Sequence, residues 1–158
     1  MNKKIYFDMD GTFVDFYGVE GWLECLENMD TRPYREAKPL FNMNIFARYL
    51  NKLIGKGWSV NIVSWGSRGV DTNSLFFNEI KTAKENWVHK HLKSVLIDEF
   101  YIVPYGTPKY SVVNDPLSIL FDDEEKNRND WANNGGCAFD VNNINEILKG
   151  FAKNENVL

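Results

Sequence analysis

Short apolar runs of strand length alternate with longer stretches of helical period along this chain, and that alternation is what most limits how it can fold. Ile5-Tyr6-Phe7, Trp58 to Val63, Phe100 to Val103, Ser118 to Phe121 and Cys137 to Val141 read as strands. Between them, 43–54 carries Phe46, Tyr49, Leu50, Leu53 and Ile54 on one helical face and stops at Gly55 and Gly57. The spacing predicts a longer helix over 74–92, with Phe76, Ile80, Ala83, Trp87, Val88 and Leu92 inward. Tyr110 to Val113 reads as a helical turn, 124–133 as a helix, and Ile144, Ile147, Leu148 and Phe151 mark a closing amphipathic helix. Residues 17–29 predict one further helix with Trp22, Leu23, Leu26 and Met29; 30–41, with Pro33 and Pro39, predict irregular chain. Such alternation implies an α/β fold: an open, mainly parallel sheet with helices on both faces. With 158 residues the chain is read as one domain.

In sheets of this kind ligands sit beyond the carboxyl ends of the strands. Three predicted strand ends carry polar chemistry: Asp8 and Asp10, Ser64, and Asp122 with Asp123. Two carboxylates two positions apart just past a strand can both approach one phosphoryl group. Asp8 can attack phosphorus, and Asp10 can protonate the leaving oxygen and later activate water. Gly11 permits a tight turn, and backbone N–H groups of the Gly11-Thr12 loop can hold phosphate oxygens. The bland alternative for this pair is a solvated acidic turn. A second acidic pair, Asp122 and Asp123, would repel the first unless a cation lay between them, and Mg2+ prefers such oxygen ligands. Their bland alternative is a helix N-terminus, where acids suit the dipole. Ser64 can donate to a phosphate oxygen, and Lys109 can offset the charge of Asp8 and a phosphate.

The bulk numbers narrow the partners. A net charge of −4 and a pI near 5.2 give no broad footprint for nucleic acid, so no stable nucleic-acid complex is expected. A small phosphorylated ligand remains compatible. Cys25 and Cys137 lack metal-ligand or disulfide spacing and are read as buried free thiols in a reducing, cytoplasmic setting. No apolar run reaches membrane-helix length, and Met1-Asn2-Lys3-Lys4 leads into an acid-interrupted strand rather than a signal peptide.

Asp8-x-Asp10-Gly11-Thr12, Ser64, Lys109 and Asp122-Asp123, in that order, resemble the four motifs of the haloacid dehalogenase (HAD) superfamily of phosphohydrolases. The resemblance spans nearly the whole chain. It implies a HAD-like Rossmannoid three-layer sandwich with a small cap inserted after the first motif, at about 16–44. Asp at position 10 is what the phosphatase branch carries. A narrower resemblance is to the 5′(3′)-deoxyribonucleotidases, through Phe7-Asp8-Met9-Asp10-Gly11 with Asp15-Phe16, and through Lys84-Glu85-Asn86-Trp87-Val88 with His91-Leu92. Lys109-Tyr110-Ser111-Val112-Val113 and Leu120-Phe121-Asp122-Asp123 extend it. The resemblance implies Asp8 as nucleophile and Asp10 as general acid and base. It implies Mg2+ held by Asp8, the Asp10 carbonyl and the motif-four acids, Asp123 first and Asp122 in support. Phe16 would lie beside a substrate base. Only about forty residues separate Asp15 from the second strand, a shorter insertion than that subfamily's cap, and Trp65 puts a bulky side chain into the phosphate loop.

The remaining polar and aromatic residues are read more plainly. His89 and His91 do not share a helix face and are surface or packing residues. Lys81, Lys84, Lys90 and Lys93 are expected to form a solvated helix face, and the asparagines of 127–134 and 142–145 to cap and turn. Tyr17 and Trp22 are read as core before cap lining. Three functions stay open at this point: a nucleoside monophosphatase, a phosphatase of nucleic-acid ends or another small phosphate ester, and a catalytically silent binding protein on the same fold.

Overall fold

The computed structural model describes residues 3–113, 115 and 117–154; Met1 and Asn2, on which the signal-peptide reading partly rests, lie outside them. Five strands form one sheet: β1 (Lys4–Phe7), β4 (Ser59–Trp65), β5 (Glu99–Val103), β6 (Ile119–Phe121) and β7 (Cys137–Phe139). Their order is β5-β4-β1-β6-β7, and every pairing is parallel. Two shorter strands, β2 (Val14–Asp15) and β3 (Lys38–Pro39), make a separate antiparallel pair.

Strand alternation sorts the core into two layers. Ile5, Phe7, Val60, Ile62, Ile119 and Phe121 point to one face, where they meet α3 (Met43–Gly55) and α7 (Ile144–Lys153). Tyr6, Val63 and Leu120 point to the other, against Trp131 of α6 (Glu125–Asn133) and beside Tyr110 and Val113 of α5 (Lys109–Val113). The result is three layers, helices on both faces of a buried sheet. Along α4 (Leu75–His91), Trp87 and Val88 join the first layer, while Phe76, Ile80 and Ala83 pack on the segment after β2. Asn42 and Ser74 cap α3 and α4 by accepting from the N–H groups of Ile45 and Phe77, at 3.1 Å each.

The single helix expected over 17–29 does not form. A short 3-10 turn (Phe16–Gly18) is followed by α1 (Trp22–Glu27), because Gly21 takes a left-handed φ of 70° and breaks the run. The stretch expected to be irregular holds α2 (Arg32–Glu36), with Pro33 in its first turn, where its missing N–H costs nothing. Cys25 is buried as expected, but Cys137 is exposed on the edge strand β7. No helix among the described residues is long and apolar enough to cross a membrane.

Phe46 shows how the first layer is held. It is fully buried, edge-on to Phe7 at 5.3 Å and to Phe41 at 5.2 Å, and tilted against Phe13 at 5.6 Å. Phe46→Ala is expected to lower the unfolding free energy by about 3–5 kcal/mol. In urea titrations the midpoint should fall at unchanged slope.

Candidate active site

β1 lies between β4 and β6, so the chain leaves the middle of the sheet first to one side and later to the other. The carboxyl ends of these three strands diverge around one crevice. Asp8 follows β1, Ser64 stands near the end of β4, and Asp122 follows β6. The sheet brings all three expected strand ends together.

Asp8 is buried, and its Oδ1 accepts from Lys109 Nζ at 2.8 Å and from Ser64 Oγ at 3.3 Å. Lys109, at the start of α5, also donates to Asp122 Oδ2 at 2.6 Å. Burial works to raise the Asp8 carboxyl, but the Lys109 ammonium outweighs it and holds Asp8 below the usual carboxylate range. Thr12 Oγ1 lies 3.1 Å from Asp8 Oδ2 and 3.4 Å from Asp123 Oδ1, so its one proton serves a single carboxylate at a time. Gly11 has φ 81°, and a Cβ there would stand 2.3 Å from the Asp123 carboxylate. This glycine is needed both for the turn and for the approach of Asp123.

Asp10 turns away from that carboxylate group. Its Oδ2 accepts from Lys84 Nζ at 2.7 Å, and the same ammonium donates to Ser64 Oγ at 2.9 Å and to the Trp65 carbonyl at 2.8 Å. Lys84 is therefore not on a solvated face. It is 1% exposed and lies beneath the ring of Tyr34, 5.2 Å from its centroid. The signal was in the sequence: Lys84 is four residues from both Ile80 and Val88, on the buried stripe of α4. Asn127 is a second correction. It is buried four residues before Trp131 and donates to Asp122 Oδ2 at 3.1 Å rather than capping a turn. Burial, then repulsion from Asp8, raises Asp10 despite Lys84.

Asp8, Asp122 and Asp123 each offer an oxygen within 4.8 Å of the others. An all-oxygen set of this size fits a hard cation such as Mg2+. Asp122 is otherwise committed to Lys109, Asn127 and the Glu124 N–H, whereas Asp123 stands on the exposed side of the group.

A cavity of about 560 Å³ opens over these groups. Asp8, Asp10, Ser64, Trp65, Lys109, Asp122 and Asp123 line its floor, and Phe16, Tyr17, Trp22, Leu23 and Tyr34 form one wall. Gly11 and Thr12 are not among the lining residues, and their N–H groups donate to the Val14 and Met9 carbonyls at 2.9 and 3.0 Å, so the loop is closed on itself and does not present the free N–H groups expected for phosphate oxygens. Tyr17 is 57% exposed on this wall, so it is lining rather than core. Phe16 is buried against Tyr34 at 4.7 Å and Trp22 at 5.6 Å. Trp65 does not obstruct the floor. Its indole N–H donates to the Thr107 carbonyl at 2.8 Å, and its ring lies 5.1 Å from the Lys109 ammonium. His91 packs on Trp87 at 4.1 Å, as a packing residue would.

With this geometry in hand, comparison with solved structures aligns the chain with D,D-heptose 1,7-bisphosphate phosphatase from Burkholderia thailandensis. The TM-score is 0.60 at 12% identity, over 97% of this chain and 100% of that one. A HAD family enzyme from Bacteroides thetaiotaomicron, in complex with magnesium and inorganic phosphate, aligns at TM-score 0.47 and 13% identity, over 89% of this chain and 94% of that one. The first similarity establishes the HAD-like Rossmannoid α/β fold. No protein-family model matches the chain. No curated protein matches it in sequence.

Two outcomes follow from the charges. Burial and then repulsion from Asp8 push Asp122 up to about 6; burial, Asp8 and Asp122 push Asp123 up to about 7. In the unfolded chain both titrate near about 4. The folded state thus holds protons that the unfolded chain has released, and the stability they bring is complete below about 4 and lost as pH rises through the folded values. In a chelator, the urea midpoint should fall between about pH 5 and about pH 8. Asp10, also raised, adds in the same direction, and the lowered Asp8 acts only on the acid side of this window. Separately, Lys84→Ala should destabilise by about 3 kcal/mol or more, because it strands Asp10 and Ser64. Lys81→Ala on the exposed face of α4 should stay within about 0.5 kcal/mol in the same urea titration.

Proposed function

We propose that the chain is a magnesium-dependent phosphatase that hydrolyses phosphate monoesters through an aspartyl-phosphate on Asp8. We further propose that its substrates are nucleoside monophosphates, as for a 5′(3′)-deoxyribonucleotidase. The observation that carries the reading is a buried carboxylate, Asp8, kept ionised by Lys109 at the floor of a cavity of about 560 Å³ with an aromatic wall. That volume is within the range of small-ligand pockets. A wall of Phe16, Tyr17, Trp22 and Tyr34 suits a flat base better than a bare sugar. The phosphatase that shares the fold supports the reaction class by analogy only, so the argument rests on the site.

In this reading an Asp8 oxygen attacks phosphorus, forming the Asp8 O–P bond as the ester P–O bond breaks. Asp10, raised by burial and so more readily protonated, gives its proton to the leaving oxygen. Asp10 then takes a proton from water, which attacks phosphorus, breaks the acyl-phosphate bond and frees Asp8 and inorganic phosphate. Ser64 and Lys109, which line the cavity floor, would hold phosphoryl oxygens, with Trp65 packed over Lys109; Lys84 and the Gly11 and Thr12 N–H groups are already committed to other partners and support the floor from beneath. Phe16 backs the wall against which the base would rest. Mg2+, held by Asp8, Asp123, the Asp10 carbonyl and with Asp122 in support, would neutralise phosphate charge when bound. The freer position of Asp123 supports it as the principal acidic ligand after Asp8. The segment 16–44 acts as a small cap, and a soluble, cytoplasmic monophosphatase is the setting this chemistry suits.

Phosphate release from a panel of deoxynucleoside 5′- and 3′-monophosphates should depend on added Mg2+ and stop in a chelator. Asp8→Asn should lower kcat by about a thousandfold or more. Absence of release from every small phosphate ester tried would overturn the reading. Turnover of other esters but of no nucleotide would retain the reaction and discard the substrate.

A further inference from the structure

The wall of the cavity opposite the aromatic cluster is built differently. Trp65 stands over the Lys109 ammonium at 5.1 Å, Tyr105 packs on Trp65 with centroids 4.8 Å apart, and the Arg68 guanidinium lies 6.0 Å over the Tyr105 ring. These contacts make a continuous shelf from the buried cation of the floor to a second cation at the mouth. All four residues line the same cavity.

Arg68 is conspicuous there for its charge. Among the described residues that line the cavity it is the only exposed cation, since Lys109 is buried; the other charged groups are Asp8, Asp10, Glu27, Asp122, Asp123 and Glu124. Among the described residues the arginine side chains that make ion pairs or donate hydrogen bonds are Arg32, Arg35 and Arg128, and Arg68 does neither. The guanidinium lies over the Tyr105 ring with its N–H fork left open. An unpaired guanidinium is a good receptor for a phosphate, which it can bind with two parallel hydrogen bonds. The flat faces of Trp65 and Tyr105 lie between the two cations, at the spacing of rings rather than of a long chain.

We propose that Trp65, Tyr105 and Arg68 form a second phosphate subsite, so that the preferred substrate carries a phosphate group besides the one that is cleaved. This rests on the reading of Asp8 and Lys109 as the place of the scissile phosphate. The second group is either the other terminal phosphate of a nucleoside 3′,5′-bisphosphate or the first phosphodiester of a short phosphorylated oligonucleotide. The chemistry at Arg68 is the same for both: an anionic phosphate beyond a planar base or sugar.

The test compares three ligands on the full chain with Mg2+: a deoxynucleoside 5′-monophosphate, its 3′,5′-bisphosphate, and a 5′-phosphorylated trinucleotide. Wild type, Arg68→Ala and Arg68→Lys are each assayed for kcat/KM. Wild type should favour at least one of the doubly charged ligands over the monophosphate by about tenfold or more, chiefly through KM. Arg68→Ala should bring that ratio to within about twofold of one, and Arg68→Lys should restore part of it. Preference for the bisphosphate alone assigns the subsite to a terminal phosphate; preference shared by the trinucleotide assigns it to an internal one as well. A wild-type ratio near one, or a preference that survives Arg68→Ala, overturns the proposal. If no nucleotide is turned over, the substrate reading of the site fails first. Calorimetric titration of the same ligands into the same three proteins then decides the subsite: bisphosphate binding that is tighter than monophosphate binding and lost in Arg68→Ala supports it, and equal binding sinks it.

Discussion

Two buried lysines hold three carboxylates together. Lys109 lies between Asp8 and Asp122, at 2.8 and 2.6 Å, and Lys84 holds Asp10 at 2.7 Å. Without these cations the ends of β1 and β6 would both present acid to the same crevice, and the crevice would open or protonate. The ammonium groups come from α4 and α5, so the helical layers fix the charge balance of the sheet ends. That balance divides the acids into different kinds. Asp8 is kept ionised, Asp10 and Asp123 are raised, and Asp122 is bound into a network with Lys109 and Asn127. Groups of one chemical type are thereby set to different tasks by surroundings alone.

The sequence displayed most of this, and where it did not the reason is physical. The five sheet strands were legible as short apolar runs, and the helices α3, α4, α6 and α7 because each carries enough residues for its period to show. The segment between β2 and α3 was not. Its helices have six and five residues, too few for a periodic stripe, and Gly21 and Pro33 punctuate them in ways that resemble loop signals. The strand ends Asp8, Ser64 and Asp122 were legible because polar residues that end apolar runs are few in this chain. Lys84 and Asn127 were missed for a shared reason. Residue type was given more weight than position, although both sit at helical spacing from buried tryptophan or aliphatic neighbours. A polar residue on an apolar stripe marks a buried partner, and here the partners are the site's own carboxylates.

In the structure, the narrower resemblance to nucleotidases rests on the aromatic wall alone, since the solved phosphatase that shares the fold at 12% identity bears on the fold only. The wall itself arises from the part of the chain that was hardest to read. Phe16, Trp22 and Tyr34 come from three short elements that pack on one another and on Phe76, Ile80 and Ala83 of α4. In the proposed reading, specificity would depend on this small cluster and reactivity on the large sheet.

That cluster is also anchored. Trp87 donates its indole N–H to the Ala37 carbonyl at 2.8 Å, Tyr34 stacks above the Lys84 ammonium, and Phe16 and Tyr34 bury against Ile80 and Ala83 of α4. Swinging this segment outward would expose a lysine already committed to Asp10. The segment is thus a fixed lintel rather than a door. Ligands must enter through a standing aperture, and discrimination must come from fit at the threshold instead of from closure around the correct guest. If the proposed aspartyl-phosphate forms on Asp8, such an aperture would leave it within reach of acceptors other than water, and short alcohols would compete for its phosphoryl group.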